Sequence, residues 1–132
     1  FLDAGLAAHL IGIHEAGHIT SHPLRGALFE TLVVGEFLKE RFNRGLPHEL
    51  YFWRDNHGHE IDLLRLVGAR LDAIEVKSAV TPSEALTRGL RQWARQAGDL
   101  AGSLTLVTGG DVDGSWSGVR LLGWRELARI TP

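Results

Sequence analysis

Residues 60–77, EIDLLRLVGARLDAIEVK, decide the fold of this chain. Two runs rich in apolar residues, 60–67 and 71–78, flank a short glycine-containing turn at 68–70. This arrangement predicts two antiparallel strands joined by a tight turn. If the turn centres between Gly68 and Ala69, residue 62 of the first strand lies opposite residue 75 of the second.

Three charged residues of this hairpin form the candidate site. Asp62 and Glu75 would face each other with their Cβ atoms about 5 Å apart. Lys77 is two residues beyond Glu75 and therefore on the same face of its strand. Two carboxylates at that separation repel each other unless one is protonated or a cation lies between them. A hard divalent cation with oxygen ligands, Mg²⁺ or Mn²⁺, resolves this repulsion, so we expect a metal site beside Lys77.

The same three residues also fit a purely structural interpretation. Acidic and basic residues on neighbouring strands commonly form ion pairs on a solvated face of a sheet. The apolar residues that flank Asp62 and Glu75 favour a buried site instead. The residue pattern by itself leaves both interpretations open.

A helix is predicted over residues 24–44, because apolar residues recur there at spacings of three and four until Gly45 and Pro47 end the run. The expected apolar stripe consists of Leu24, Leu28, Thr31, Gly35, Leu38 and Phe42. A second apolar flank consists of Val33, Val34 and Phe37. Glu30 shares this second flank, and a carboxylate in apolar surroundings needs a partner, so Glu30 is a fourth candidate for the metal site.

The remaining segments complete an α/β pattern. A short helix is expected over residues 4–11 with Asp3 as its N-cap, followed by an irregular stretch over 12–22. Further strands are expected at 51–53, 103–108 and 118–123, further helices at 81–97 and 124–130, and a glycine-rich loop from residue 109 to the last strand. The predicted order is α-α-β-β-β-α-β-β-α, in a single domain of residues 1–132.

Residues 14–18, His-Glu-Ala-Gly-His, match the His-Glu-x-x-His pattern of zinc proteases. On one helix His14 and His18 would share a face, and Glu15 would serve as the general base. Glycines in and before the motif disfavour a helix, and Pro23 would end it early. The sequence therefore favours a solvated loop here, with a zinc peptidase as a distant alternative.

Composition restricts the function further. The 132 residues include 14 Lys and Arg and 16 Asp and Glu, a net charge of −2, which disfavours strong DNA binding by this chain alone. There is no cysteine and no apolar run of about 18 residues, so we expect a cytoplasmic protein that does not span a membrane. Gly109-Gly110 lacks the Lys-Ser or Lys-Thr of a phosphate loop, so no ATP site is expected. Because the chain begins with Phe1 and contains no methionine, we expect it to be a fragment of a longer protein.

Several segments resemble a known family. They are, in chain order, Leu2–Leu10, His22–Glu30, Tyr51–Arg54, Gly58–Asp62 and Ala73–Ser78. Together they resemble the domain of unknown function found at the C-terminus of many prokaryotic AAA-type ATPases, a branch of the PD-(D/E)XK nuclease-like superfamily. The resemblance covers about residues 1–80 well and the remainder loosely. It implies a restriction-endonuclease-like α/β fold, in which helices flank a central mixed sheet.

The resemblance also implies roles for the four candidate residues. Asp62 and Glu75 would be metal ligands, and Lys77 would be the catalytic lysine. Glu30 would be the helix carboxylate that supports the metal. The implied activity is hydrolysis of a nucleic-acid phosphodiester with the help of Mg²⁺ or Mn²⁺.

Three weaker candidates and the implied partners complete the expectations. Gln92 and Gln96 lie in the helix after Glu-x-Lys, where some members of the superfamily carry a glutamine that contacts substrate. Arg54 fits a phosphate contact and an ion pair equally well. The resemblance further implies that an AAA-type ATPase module and a winged-helix segment precede Phe1. A catalytically silent interaction or regulatory domain of the ATPase is the main alternative to a nuclease.

Overall fold

A six-stranded mixed sheet forms the centre of the computed structural model, which describes residues 1–130. The strands are β1 (Leu50–Arg54), β2 (Glu60–Val67), β3 (Arg70–Lys77), β4 (Ala101–Thr108), β5 (Asp113–Trp116) and β6 (Val119–Gly123). The α-helices are α1 (Ala4–Leu10), α2 (Ala16–Ile19), α3 (Arg25–Asn43) and α4 (Glu84–Ala97), and short 3₁₀ segments occupy Gly98–Leu100 and Trp124–Arg129. The predicted α/β class, a mixed sheet flanked by helices, is therefore confirmed.

The order of the strands in the sheet is β1-β2-β3-β4-β6-β5. β1, β2 and β3 are antiparallel neighbours, whereas β3, β4 and β6 run parallel, and β5 pairs antiparallel with β6 at the edge. A parallel pair needs a long crossover connection, and α4 provides it between β3 and β4. This crossover makes β3 an internal strand of the sheet.

Two hydrophobic clusters cover the two faces of the sheet. The first lies beneath α3 and the last 3₁₀ segment and contains Val33, Phe37, Leu63, Ile74, Val76, Val107, Leu122, Leu127 and Ile130. The second lies beneath α4 and contains Ile61, Leu64, Ala73, Leu90, Trp93, Leu106, Val119 and Leu121. Because β3 contributes to both clusters, its side chains are covered on both faces.

The register of the β2–β3 hairpin is the one predicted from the sequence. Leu63 pairs with Ile74, and Val67 pairs with Arg70 next to the turn. Gly68 has a φ of +61°, a left-handed conformation that glycine adopts without strain. The glycine thus fixes the turn, and the turn fixes which residues of β2 and β3 face each other.

A β-bulge in β2 lies at the candidate site. β1 pairs Tyr51 with Leu64 but Trp53 with Ile61, so two residues of β2, Asp62 and Leu63, lie opposite the single residue between them in β1. As a result Ile61 packs in the cluster beneath α4, although Leu63 packs beneath α3. Bulges reorient a side chain and are frequent beside active sites.

The buried side of α3 differs from the expected stripe. Leu24 and Phe42, at the two ends of that stripe, are 48% and 55% exposed. The buried residues of α3 are Gly35 of that stripe, Val33 and Phe37 of the second flank, and Arg41. The sheet packs against this second flank, and the seven-residue α1 is too short to cover the whole of the expected stripe.

Three smaller expectations were wrong. α2 forms a single turn of helix inside the stretch expected to be irregular. β5 lies in the stretch that was expected to be a loop. Its four residues are all exposed on a sheet edge and show no apolar alternation, so the sequence did not indicate a strand there. The last segment, Trp124–Arg129, is a 3₁₀ helix that is interrupted at Glu126.

Within residues 1–130, no helix combines the length and the apolar character needed to cross a membrane.

Candidate active site

Asp62, Glu75 and Lys77 meet where β3 ends. The Lys77 Nζ lies 2.5 Å from Glu75 Oε1 and 3.7 Å from Asp62 Oδ2. Asp62 Oδ2 also accepts a hydrogen bond of 2.7 Å from the backbone N–H of Val76. The lysine ammonium therefore bridges two carboxylates that come from neighbouring strands.

Local structure explains how the two carboxylates approach each other. Ile74 and Val76 pack beneath α3, so alternation along β3 directs Glu75 and Lys77 to the opposite side. Asp62 lies on the bulge, and its carboxylate bonds to the main chain of β3 just beyond the last Leu63–Ile74 pair. The hairpin thus holds Asp62 by its side chain at the point where the strands separate.

Burial leaves one carboxylate oxygen of this group without a partner. The side chains of Asp62 and Glu75 are only 8% and 11% exposed, and that of Lys77 is 38% exposed. Glu75 Oε2 is buried and has no hydrogen-bond partner among the described residues. A buried acceptor without a partner is unfavourable unless a proton or a cation satisfies it.

The positive charge of Lys77 is not enough to neutralise both Asp62 and Glu75. Burial, followed by the charge of Asp62, raises the pKa of Glu75 to about 7 despite the hydrogen bond from Lys77. Burial also raises the pKa of Asp62, although the N–H of Val76 and the charge of Lys77 act in the other direction. Burial alone would lower the pKa of Lys77, but its hydrogen bond to Glu75 and the surrounding acids raise it. The site therefore favours a protonated lysine and additional positive charge.

Glu75→Gln is expected to stabilise the chain at pH 8 in EDTA. The pKa of Glu75 lies near 7 in the folded chain, above its ordinary 4.5, so ionisation lowers stability progressively as the pH rises from 4.5 to 7. Glutamine does not ionise, and the gain above pH 7 should be on the order of 1 to 3 kcal/mol. Urea unfolding of both proteins at pH 4 and pH 8 measures this difference.

The gain should vanish at pH 4, where the carboxyl is protonated in both the folded and the unfolded chain. Glu36→Gln is the matched control, because Glu36 pairs with Lys39 at the surface. A lower urea midpoint for Glu75→Gln than for wild type at pH 8 would contradict the prediction.

Glu30 lies near this group but does not complete a ring of metal ligands. It is half-buried on α3, and its pKa is raised by burial and then by the charge of Asp62, while Lys77 acts in the other direction. Among residues 1–130, no group of three or more His, Asp or Glu side chains is arranged to hold a metal ion. Glu30 thus acts on the site through its charge.

The donor set still fits a magnesium-type ion. Mg²⁺ is commonly held by one or two carboxylates, with waters and substrate phosphate oxygens as its other ligands. Asp62 and Glu75 supply two such carboxylates, and the unpartnered Glu75 Oε2 provides a free acceptor. Two protein ligands are therefore sufficient for this class of cation.

A second buried acid on the same strand behaves in the opposite way. Asp72 accepts a hydrogen bond of 2.8 Å from Arg65 Nη2, and its other oxygen accepts one of 2.8 Å from the N–H of Ser103. Burial alone would raise the pKa of Asp72, but these partners lower it. Both carboxylate oxygens of Asp72 thus have a partner, whereas Glu75 Oε2 has none among the described residues.

The three weaker candidates lie outside the carboxylate group. Arg54 pairs with Glu60 at 3.9 Å on the exposed β1–β2 hairpin. Gln92 Nε2 lies 3.3 Å from the ring nitrogens of His59, which is just before β2. Gln96 borders a cleft beside Leu71, at the other end of β3, so its position does not favour contact with a substrate at Lys77.

Sequence reasoning missed two features of the site. Thr108 is fully buried, pairs with Lys77 in the parallel ladder, and its Oγ1 has no partner among the described residues. Arg25 donates a hydrogen bond of 2.9 Å to the carbonyl oxygen of Ser78, immediately after Lys77. A polar residue at the end of an apolar strand was the only signal for Thr108, and the long-range contact of Arg25 left no signal.

A mainly apolar cavity adjoins the site but is separate from its carboxylates. It has a volume of about 360 Å³, and its lining includes Leu28, Phe29 and Trp124. Arg25 and Ser78 lie on its wall, so it begins directly beyond Lys77. The charged groups of the site therefore lie outside this cavity.

The His-Glu-x-x-His segment is not one helix. Glu15 has extended backbone angles and precedes α2, which contains only the four residues Ala16–Ile19. The ring of His14 contacts that of His9 with a centroid distance of 4.9 Å. His14 and His18 therefore do not share a helical face, which removes the geometry that a zinc peptidase requires.

The comparisons with known proteins bear on the same region. A family model described as a domain of unknown function (DUF4143) matches residues 25–127. This match begins later and extends further than the expected resemblance over residues 1–80, and it includes all four candidate site residues. The uncharacterized proteins Mb2031c of Mycobacterium bovis and Rv2008c of Mycobacterium tuberculosis are each 30% identical to this chain over 89 residues. The alignment covers 67% of this chain but 19% of each relative, so the chain spans about a fifth of their length.

Proposed function

Because the chain belongs to the DUF4143 family of domains of unknown function, we propose that it is a metal-dependent nuclease-like domain of the PD-(D/E)XK type. One observation carries the proposal. Buried carboxylates from two adjacent strands converge on one lysine, and one of their oxygens has no partner. Unsatisfied buried acids with raised pKa values are typical of functional sites.

Each of the four candidate residues has a separate role in the proposed reaction. Asp62 and Glu75 hold a divalent cation, Mg²⁺ or Mn²⁺, by their carboxylate oxygens. Such a cation, when bound, lowers the pKa of a water molecule and shields the charge that develops on a phosphodiester. Lys77, the more exposed member of the group, orients the attacking water or holds a phosphate oxygen. Glu30 adds negative charge that strengthens cation binding.

A catalytically silent interaction or regulatory domain is the second candidate. Lys77 already bridges Asp62 and Glu75, so a lysine alone neutralises part of the site. The net charge of −2 also favours this candidate over independent nucleic-acid binding. In this case the site would be a structural remnant that stabilises the end of β3.

We also propose the setting in which the domain works. The resemblance of the segments at residues 2–10 and 22–30 supports attachment to an AAA-type ATPase module, with nucleic acid as the shared substrate. The much greater length of the two mycobacterial relatives is compatible with such a multidomain arrangement. A cytoplasmic location follows from the same proposal.

Nicking of supercoiled plasmid DNA in Mg²⁺ or Mn²⁺ tests the nuclease. Wild type should nick the plasmid, and Asp62→Ala and Lys77→Ala should each lower the rate by more than about tenfold, because each removes a group that contacts the cation, the water or the phosphate. Glu36→Gln, on a surface ion pair, should retain the wild-type rate.

The outcomes separate the two candidates. Equal nicking by wild type and both site variants would identify a contaminating nuclease and contradict the proposal. If no nicking occurs and calorimetry detects no binding of Mg²⁺ or Mn²⁺, the silent domain is the correct function. Circular dichroism of each variant confirms that the loss of activity is not a loss of fold.

A further inference from the structure

Most surface cations of this chain are neutralised by an acid. The exposed pairs are Lys39 with Glu36, Arg44 with Glu40, Arg125 with Asp111 and Arg129 with Asp113. Arg70, Arg88 and Arg95 are exceptions: all three are exposed, and among residues 1–130 none forms an ion pair. Arg88 and Arg95 lie together on α4, whereas Arg70 lies alone at the β2–β3 turn. The net charge of −2 thus hides a local excess of positive charge.

Three arginines lie on one face of α4. Arg88, Arg91 and Arg95, here called the arginine stripe, follow each other at spacings of three and four, which places them on the same side of the helix. The buried face of α4, formed by Thr87, Leu90 and Trp93, points toward the sheet. Arg91 pairs with Glu84 at 3.4 Å, and its side chain is only 23% exposed. The stripe therefore presents Arg88 and Arg95 to solvent, about 10 Å apart along the helix, with the less exposed Arg91 between them.

The stripe is connected to the candidate site through the β1–β2 hairpin. Gln92, four residues after Arg88 and beside it on α4, contacts the ring of His59 at 3.3 Å. Asp55 holds His59 in place with a contact of 2.8 Å to Nδ1. His59 is three residues before Asp62, a separation of about 10 Å along a strand. The Arg88 end of the stripe is therefore linked, through Gln92 and His59, to the strand that carries Asp62.

We propose that the arginine stripe of α4 binds the phosphate backbone of nucleic acid and guides it toward Asp62, Glu75 and Lys77. This inference rests on the proposed nuclease-like function and names the surface by which its substrate is held. Guanidinium groups bind phosphate oxygens with paired hydrogen bonds and keep their charge at all relevant pH values. The regular spacing of the stripe suits a polymer with a repeating negative charge.

Charge complementarity favours nucleic acid over an acidic protein as the occupant. The candidate site next to the stripe is itself acidic, so a ligand that bridges both surfaces must carry its negative charge on groups that can also bind a divalent cation. Phosphodiesters meet this condition, because phosphate oxygens are ligands for Mg²⁺. The same acidic site, together with the net charge of −2, predicts weak binding by this chain alone.

Fluorescence anisotropy with a labelled DNA duplex in EDTA tests the stripe without requiring hydrolysis. The double variant Arg88→Gln/Arg95→Gln should bind about tenfold more weakly than wild type, because two phosphate contacts are lost. The slope of log K against log salt concentration should decrease by about 0.9 for each arginine removed. Arg70→Gln is the matched control, since Arg70 is an exposed arginine at the β2–β3 turn, at the far end of β3 from Lys77; it should bind as wild type does.

Several results would overturn the inference. One is an equal loss of affinity for Arg70→Gln and for the double variant Arg88→Gln/Arg95→Gln, which would mean that the whole surface attracts DNA without a defined interface. Another is displacement of the duplex by poly-glutamate at equal charge concentration, which would identify a general site for acidic polymers. If wild type nicks plasmid but the stripe variants bind DNA as wild type does, the arginine stripe is not the binding surface, and the proposed nuclease activity stands. If the stripe variants bind DNA more weakly but no protein nicks plasmid, the stripe stands and the proposed nuclease activity is wrong.

Discussion

Asp72→Ala is expected to lower the free energy of unfolding by about 3 to 5 kcal/mol, the range for loss of one partner of a buried ion pair. The Asp72 and Arg65 side chains are 13% and 6% exposed and are joined by a contact of 2.8 Å. Arg65 Nε and Nη1 already lack partners among the described residues, so the variant leaves a buried guanidinium without compensation. Urea unfolding of wild type and variant measures the loss.

Asp111→Ala is the matched control for this experiment. Asp111 and Arg125 form a contact of 3.0 Å but are 81% and 60% exposed, so loss of this ion pair should change stability by at most about 1 kcal/mol.

A pH series tests whether the charge of Asp72 causes the loss of stability in Asp72→Ala. Burial alone would raise the pKa of Asp72, but its partners lower the pKa below the ordinary value of 3.8. The charge of Asp72 therefore stabilises the folded chain above pH 3.8, and this stabilisation disappears as the pH falls through the lowered pKa. Equal effects of the two variants at pH 7 would contradict the explanation.

Gly110→Ala is expected to destabilise the chain by about 3 kcal/mol, because overpacking against main-chain atoms has no inexpensive relaxation. A methyl group at this position would overlap the carbonyl oxygen of Val80 and lie 2.9 Å from its carbonyl carbon. The close approach joins the segment after β3 to the end of β4, where the N–H of Gly109 also bonds to the carbonyl oxygens of Lys77 and Ala79. The variant should therefore displace the main chain next to Lys77.

Gly114→Ala is the control, because a methyl group there meets no atom within 4 Å in the described structure. Its effect on the free energy of unfolding, measured by thermal unfolding, should be within that of an ordinary surface substitution, about 0.5 kcal/mol. If Gly110→Ala unfolds at the same temperature as Gly114→Ala, the close packing between these two segments is not important for stability.

Features that depend on residues close together in the chain were predicted correctly from the sequence. A glycine turn and alternating side chains were enough to predict the β2–β3 register from Val67–Arg70 to Leu63–Ile74. The ladder ends there, and Asp62 and Glu75 meet through Lys77 rather than as a directly paired position. The amphipathic pattern of α4 and the capping of α1 by Asp3 are equally local, and the Asp3 side chain accepts the N–H of Leu6 as expected. Each of these depends on residues that are close together in the chain.

The remaining features depend on packing between distant segments. No glycine or proline marks the bulge at Asp62, which arises from the pairing of β2 with both of its neighbours. The flank of α3 that is buried depends on where the sheet lies. Likewise, Asp72 and Glu75 both occur in β3 with apolar neighbours, and only the position of Arg65 distinguishes the structural pair from the candidate site.

The bulge in β2 also constrains the length of this strand. Since Ile61 and Leu63 pack on opposite faces, deletion of one residue between Ile61 and Leu64 would straighten the strand and rotate its first residues by half a turn. Ile61, one of the largest fully buried side chains, would leave the cluster beneath α4. The number of residues from Glu60 to Lys77 is therefore as important to this fold as their identity.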